Sequence, residues 1–499
     1  MDQKGRPSIL LAGGGTAGWM AAAALARFAT GHDIALVESE AIGTVGVGEA
    51  TIPQIHLFNG ALGLDESEFL RETKGSFKLG IEFDGWLREG ESYMHAFGAL
   101  GRGAGLLPFQ HYWLRARKLG LAKPLQRYSL NELAARTMHM QIGRRAPGAP
   151  EMPYAYHFDA GLYAAYLRRY AEARCVVRHE GMIATVDRHG ESGDIASITL
   201  DDGRTLAADF FIDCTGFRGS LIEGALETGF DDWSGYLPCD RALAVPCAGG
   251  GDFTPYTRSS ARRAGWQWRI PLQHRIGNGI VYSSAHMGED EAATILLANL
   301  DGEAQGDPRP IRFTTGKRRK HWNRNCLALG LAAGFMEPLE STSIHLIQSA
   351  ISRFLALLPN GRPSAAAIDH FNAQATFEWT RIRDFLVLHY TANAREGEPF
   401  WDAVRHMDLP ATLTDRIALW RDTGFVHREH EELFTEVAWF QVFAGQGVDA
   451  SAYNPMADAM PQTDLAAMLV DTEATLINEV RAMGRHIDVL QQAIATRET

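Results

Sequence analysis

The strongest constraint on the fold is a glycine turn set between a short apolar run and an alanine-rich segment. Ser8-Ile9-Leu10-Leu11-Ala12 reads as a buried strand, Gly13-Gly14-Gly15-Thr16-Ala17-Gly18 as a tight turn, and Trp19 to Phe28 as a helix. Asp33-Ile34-Ala35-Leu36-Val37-Glu38 follows as a second strand, and Glu38 lies 20 residues beyond Gly18. Small residues let the backbone approach a pyrophosphate, and the start of the helix offers N–H donors and the positive end of its dipole. The Glu38 carboxylate suits ribose hydroxyls. The glycine spacing alone is weak evidence; with strand, helix and acid in place it predicts a dinucleotide site, against the alternative of an ordinary glycine turn.

The motif does not choose between NAD and FAD. A second strand-to-glycine turn, Asp209-Phe210-Phe211-Ile212-Asp213-Cys214-Thr215-Gly216, tilts the choice. A late return of the chain to the cofactor suits FAD, the longer molecule; an ordinary strand end is the alternative.

Around these motifs the chain reads as one intertwined α/β fold. Residues 157–173 carry helical spacing at Leu162, Tyr166 and Leu167, and 176–212 alternate as strands around a turn at Asp202-Gly203. The stretch 240–320 reads as further strands. From Ile344 onward the pattern is mostly helical, with a long amphipathic segment over 464–493. The expected division is a cofactor module over 1–350, with inserted β-rich segments facing the substrate, and a mainly helical substrate module over 351–499.

Composition narrows the partners. In 499 residues, 46% are hydrophobic and the net charge is -12, which fits a chain with a large core and argues against nucleic acid. The five dispersed cysteines form no CxxC pair and no disulfide framework, which points to a reducing cytoplasm. No apolar run reaches the length of about 18 residues that a membrane span requires. The run Ile9 to Ala12 is a strand, too short for the apolar part of a signal peptide.

Four further segments carry a family resemblance. They are Gly46-Val47-Gly48-Glu49-Ala50-Thr51, Phe77-Lys78-Leu79-Gly80-Ile81, Gly265-Trp266-Gln267-Trp268-Arg269-Ile270-Pro271, and Glu337-Pro338-Leu339-Glu340-Ser341-Thr342-Ser343-Ile344. With the glycine turn, and in this order, they resemble the flavin-dependent tryptophan halogenases over nearly the whole chain. The WxWxIP segment is the most specific signature and the lysine segment the next.

The resemblance implies a Rossmann-like FAD module of flavin monooxygenase type joined to a mainly helical substrate module. It implies FADH2 supplied by diffusion from a separate flavin reductase, and chloride or bromide oxidised to hypohalous acid. That acid travels through an internal tunnel to an aromatic substrate, where Lys78 and Glu340 act. By the same resemblance Ala50, Leu331 and Ile344 join Gly13, Gly15, Thr16, Ala17, Gly18 and Glu38 at the flavin, and backbone at Thr342 and Ser343 binds halide. Trp266 and Trp268 shield substrate from flavin, and His95-Ala96-Phe97 matches a His-x-Phe sandwich around the substrate ring. A homodimer is compatible with this reading.

The residue chemistry fits. An ammonium donates a hydrogen bond to hypohalous acid, or as the amine forms a haloamine; both roles need a desolvated lysine. Apolar Phe77, Leu79 and Ile81 around Lys78 predict such burial, against the alternative of a surface lysine. Glu340 can stabilise the cationic ring intermediate and accept its proton. Its alternative is a helix-start residue beside Ser341 and Thr342, and Glu337 is a rival carboxylate. Trp266 and Trp268, two apart on a strand, share a face; two core aromatics are the alternative. His95 has a loop histidine as its alternative.

Two departures bear on substrate and halide. Tryptophan-specific members carry adjacent tyrosines and a glutamate for the amino acid's backbone groups; the corresponding stretch here is Ala438-Trp439-Phe440-Gln441-Val442-Phe443-Ala444-Gly445-Gln446, without a tyrosine pair. The expected substrate is therefore a simpler indole, another aromatic, or a larger tailored molecule. Ser343 stands where many members have glycine. His427-Arg428-Glu429-His430 offers an i, i+3 histidine pair without a third ligand, and an exposed, solvated helix is the expectation. The rival functions are an FAD-dependent aromatic hydroxylase, which has no need for Lys78, Trp266-x-Trp268 and Glu340 together, and a flavin-binding protein without turnover.

Overall fold

The computed structural model describes residues 6–41, 48–144, 151–249 and 253–495. The chain is a mixed α/β fold that divides into two compact units, each assembled from three stretches of sequence. The first holds residues 1–75, 158–234 and 312–379; the second holds 76–157, 235–311 and 380–499.

The first unit is built on a six-stranded sheet. Its order is Trp322–Asn323, Cys326–Ala328, Phe210–Asp213, Ser8–Ala12, Asp33–Glu38 and Val177–Glu180. All neighbours are parallel except the first pair. Ile9, Leu10, Leu11 and Ala12 are all buried, as are Leu36, Val37, Phe211 and Ile212. Such unbroken apolar runs, without alternation, are what a parallel sheet covered on both faces demands. The helix Thr16–Phe28 packs against the helices Ala160–Glu172 and Ser343–Ala356 through its buried Trp19, Met20 and Ala21 to Ala24. A separate antiparallel sheet, Ile183–Arg188, Ile195–Leu200 and Thr205–Ala207, turns at Asp202-Gly203 as the sequence pattern predicts.

The second unit holds a seven-stranded sheet in the order Arg309–Arg312, Arg241–Cys247, Ile276–Tyr282, Gly265–Pro271, Thr257–Arg262, Gly80–Asp84 and Ser92–Ala96. Its core is aromatic. Trp86 meets Trp401 and Tyr390 edge-on, each at 5.3 Å between ring centroids, and lies 6.4 Å from Trp266. Trp86 and Trp401 are buried with their indole N–H groups satisfied, by the carbonyls of Ser259 and Arg262.

Three sequence expectations need correction. Within 240–320 a helix, Glu289–Ala298, interrupts the strands; the acidic first turn Glu289-Asp290-Glu291 after Gly288 is its start signal. The amphipathic stretch 464–493 is two helices, Gln462–Arg481 and His486–Ala495. Gly484 and Arg485 leave the helix to pair with His139 and Met140, a tertiary gain that outweighs continuation through a glycine. Residues 425–429 are not helical. Arg381 bonds Glu429, Arg428 bonds the Glu432 carbonyl at 2.6 Å, and His430 takes a positive φ of 50°.

Candidate active site

The first glycine turn closes on the second. A Cβ at Gly13, whose φ is +109°, would fall 2.3 Å from the Cys214 carbonyl oxygen, and one at Gly18 would fall 1.9 Å from the Gly13 carbonyl oxygen. Only glycine fits at these two points. Cys214 N–H donates to the Ala12 carbonyl at 2.8 Å, which fixes the late turn beside the early one. The Asp213 carboxylate is wholly occupied in shaping that turn. One oxygen accepts from the backbone and hydroxyl of Thr215, and the other from the N–H groups of Leu221 and Ile222, all between 2.7 and 2.9 Å.

The geometry at the helix start fits a pyrophosphate. Gly15 is the N-cap of Thr16–Phe28, and among the described residues no side chain caps the helix and a Cβ at Gly15 would meet nothing within 4 Å. Uncapped N–H groups at a helix start are an anion cradle. Gly330, the chain neighbour of Leu331, backs onto Ala17 of this turn. Ala50 and Ile344 are buried. Gly46 and Val47 lie outside the described residues.

Glu38 is held by groups that sequence reading missed. Arg178 Nε donates to its carboxylate at 2.6 Å, Trp19 Nε1 donates at 3.3 Å, and Arg168 approaches to 3.5 Å. The register of the parallel strands sets Arg178 opposite Leu36, so the arginine arrives from 140 residues away with no local signal. Nearby in sequence, burial pushes the Glu49 carboxyl up to about 7, and the Asp159 carboxylate adds to the effect.

Glu340 is 1% exposed, in a 3-10 turn Pro338–Glu340; Glu337 is fully buried beside it in sequence. Ser341 then takes a left-handed φ of 59°, and the helix Ser343–Ala356 starts behind Thr342 without a side-chain cap. The glutamate thus precedes the helix instead of lying in its first turn. Thr342 and Ser343 stand at an uncapped helix start, which suits an anion.

In the second unit Lys78 is 0% exposed at the end of the strand Ser76–Lys78, as its apolar neighbours predict. Its Nζ lies 5.5 Å from the Phe97 ring centroid, within cation–π range. Phe97 N–H donates to the Leu79 carbonyl at 2.9 Å, which brings the two segments together. His95 is no loop residue: it sits on the edge strand Ser92–Ala96, buried, with Phe385 at 5.6 Å and Phe434 at 6.1 Å. Trp266 and Trp268 share a face of the strand Gly265–Pro271, at 6.1 Å. Trp266 is core; the Trp268 ring covers Gly279 so closely that a Cβ there would lie 2.1 Å from it.

The helix Glu436–Gly445 turns buried aromatics inward. Trp439 packs edge-on to Phe385 at 4.8 Å, with the Arg416 guanidinium 4.1 Å from its ring, and Phe443 stacks on Trp420 at 5.1 Å. Gln441 is bound to the backbone of Ala96. Among the described residues no helix is long and apolar enough to cross a membrane, and no group of three or more His, Cys, Asp or Glu is placed to hold a metal ion.

The comparisons with known proteins agree with this geometry. Residues 8–462 match the tryptophan halogenase family model. A tryptophan 7-halogenase of Kutzneria sp. is 34% identical over 485 residues, covering 90% of each chain. The solved structure of a flavin-dependent halogenase from Xanthomonas campestris superposes with a TM-score of 0.95 at 44% identity, covering 98% of both chains. BrvH, a flavin-dependent halogenase from a Brevundimonas species, gives 0.94 at 42% identity, covering 98% of this chain and 99% of that one. The hydroxylase alternative is not favoured. The chain belongs to the tryptophan halogenase family and is a flavin-dependent halogenase of aromatic compounds.

Proposed function

We propose that this enzyme halogenates an indole-like aromatic other than free tryptophan, with Lys78 and Glu340 as its catalytic residues. The carrying observation is the complete burial of Lys78 with its ammonium 5.5 Å from the centroid of the Phe97 ring. Bound reduced FAD supplies, with oxygen, the oxidising power that converts chloride or bromide to hypohalous acid. Lys78 hydrogen-bonds the hypohalous oxygen. The aromatic π electrons take the halogen, the oxygen–halogen bond breaks, and the oxygen leaves as water with the lysine's proton. Glu340 accepts the ring proton, and exchange with solvent resets both groups.

FAD belongs to the first unit in this reading, on Gly13, Gly15, Thr16, Ala17, Gly18, Glu38, Ala50, Leu331 and Ile344. The open, uncapped helix start supports it. Halide is assigned to the backbone of Thr342 and Ser343, the flat faces of His95 and Phe97 to the substrate, and Trp266 and Trp268 to keeping substrate from flavin. A separate flavin reductase supplies FADH2 by diffusion. The protein works in the cytoplasm, which its five free cysteines support, and a homodimer is compatible with this.

The aromatic, tightly packed helix Glu436–Gly445 supports exclusion of free tryptophan, because its one amide, Gln441, is committed to the backbone. The test supplies reductase, FAD, oxygen, catalase and each halide to a panel of aromatics read by mass spectrometry. Indole is expected to react faster than free tryptophan, and the opposite order rejects the substrate reading. Lys78→Ala and Glu340→Gln are each expected to lower turnover by about 100-fold or more. Full rate in either variant removes that residue from catalysis.

A further inference from the structure

A chain of buried hydrogen bonds runs from the lysine strand to the end of the tryptophan strand. Ser76 Oγ donates to the Pro271 carbonyl at 2.9 Å, and the same oxygen lies 3.3 Å from His157 Nδ1. His157 Nε2 lies 2.9 Å from the Thr257 hydroxyl. Ser76 and His157 are fully buried and Thr257 is 5% exposed.

The proton positions follow from counting donors. A carbonyl only accepts, so the single hydroxyl proton of Ser76 is committed to Pro271. Ser76 Oγ therefore accepts from His157 Nδ1–H, and Nε2, bearing no proton, accepts from the Thr257 hydroxyl. Every polar atom of the imidazole is satisfied in one neutral tautomer only. Burial holds the ring's pKa well below its ordinary value, and the charges of Lys78, His486 and Arg269 push the same way.

Strand register relates this network to Lys78. Ser76 pairs with His157 and Lys78 with Ala155 in the antiparallel ladder. The two-residue period sets Ser76 and Lys78 on one side of their strand. Lys78 thus extends over a small residue, Ala155, with the imidazole as its diagonal neighbour. The strand has only three residues, so side-chain hydrogen bonds at its start add to a short ladder.

We propose that His157 is a positioning residue for Lys78: its neutral Nδ1–H imidazole clamps the lysine strand to Thr257 and Pro271 and so fixes where the ammonium points. This rests on Lys78 being catalytic. A loosened strand misdirects the ammonium, and a small displacement of a reacting group lowers turnover without touching the binding of the aromatic.

The test compares the full-length wild-type enzyme with His157→Leu, His157→Gln, Thr257→Val and Lys78→Ala, using reductase-supplied FADH2, bromide and indole. His157→Leu is expected to lower kcat by about tenfold or more while KM for indole changes by less than about twofold. His157→Gln, whose amide can donate to Ser76 and accept from Thr257, is expected to recover most of the loss. The nitrogen-15 NMR signals of His157, picked out of the 18 histidines by difference against His157→Gln, should show the neutral Nδ1–H tautomer from pH 6 to 8. A ring that titrates in that range, or carries its proton on Nε2, overturns the proposal. So does a folded His157→Leu enzyme with unchanged kcat. If that variant does not fold, Thr257→Val decides: a lower kcat with altered tautomer signals supports the clamp, and an unchanged kcat overturns it. A fully active Lys78→Ala enzyme removes the premise. An inactive one beside a normal His157→Leu enzyme sinks this inference alone.

Discussion

Gln441 binds both polar groups of the Ala96 main chain: its amide oxygen accepts from the Ala96 N–H and its amide nitrogen donates to the Ala96 carbonyl, each at 3.0 Å. Ala96 ends the outermost strand of the seven-stranded sheet, where one side lacks a neighbouring strand. A side chain from a helix therefore completes the ladder at the residue between His95 and Phe97. It satisfies an edge that would otherwise leave buried backbone groups without partners.

Replacing Gln441 by Leu strands one buried donor and one buried acceptor, each worth about 1–3 kcal/mol. The expected result is a lower Tm together with a higher KM for the aromatic, since His95 and Phe97 lose their anchor. Gln441→Glu keeps only the acceptor and should fall between. Thermal melts and steady-state kinetics on the three proteins check this order; a Gln441→Leu enzyme with wild-type KM contradicts it.

Arg178 holds the Glu38 carboxylate by a charge-assisted bond at 2.6 Å. Arg178→Ala is expected to weaken flavin binding by about 10-fold or more, the scale of one bond to a charged group of about 1.5–3 kcal/mol. Quenching of flavin fluorescence on titration with enzyme measures it. Saturating FAD should restore kcat, the outcome expected of a residue that serves binding and not chemistry.

Glu49 makes the folded protein less stable as pH rises. Its carboxyl titrates at about 7 in the fold against an ordinary value of 4.5. Between those values the folded chain keeps a proton that the unfolded chain has lost, so stability falls as pH climbs from 4.5 to 7 and the penalty is complete above. Glu49→Gln should therefore melt higher than wild type at pH 8, with the gap closing towards pH 4.5. Equal melting temperatures at pH 8 contradict the assignment.

His321 has the opposite slope. Burial, then the Lys317 charge, lowers it to about 3 from 6.5. The unfolded chain takes up its proton first on acidification, so this stability is whole above pH 6.5 and drains as pH falls towards 3. The ring lies 5.1 Å from Trp379, and among the described residues its Nε2 has no hydrogen-bond partner. His321→Phe, measured against its own value at pH 7.5, should lose less Tm at pH 5 than wild type does. Parallel losses in the two proteins would assign the acid sensitivity elsewhere.

The features legible in the chain are those whose physics is local. A turn in which a Cβ would fall 2.3 Å from the Cys214 carbonyl oxygen leaves only glycine at Gly13, and a helix that starts without a side-chain cap has Gly15 as its N-cap. Fully buried parallel strands announced themselves as unbroken apolar runs. Burial of Lys78 was visible in its flanking Phe77 and Leu79, while the helix Glu289–Ala298 was not, because its start signal stands among strands.

The sequence by itself determined the cofactor fold, the family and the burial of Lys78, because each depends on neighbours a few residues away or on motifs in fixed order. Tertiary structure decided which partners complete those parts: Arg178 at Glu38, Gln441 at Ala96, and the imidazole of His157 between Ser76 and Thr257. Those pairs are separated by 140, 345, 81 and 100 residues. A hydrogen bond acts over about 3 Å, so strand register and helix packing, which no local pattern encodes, choose the atoms that meet.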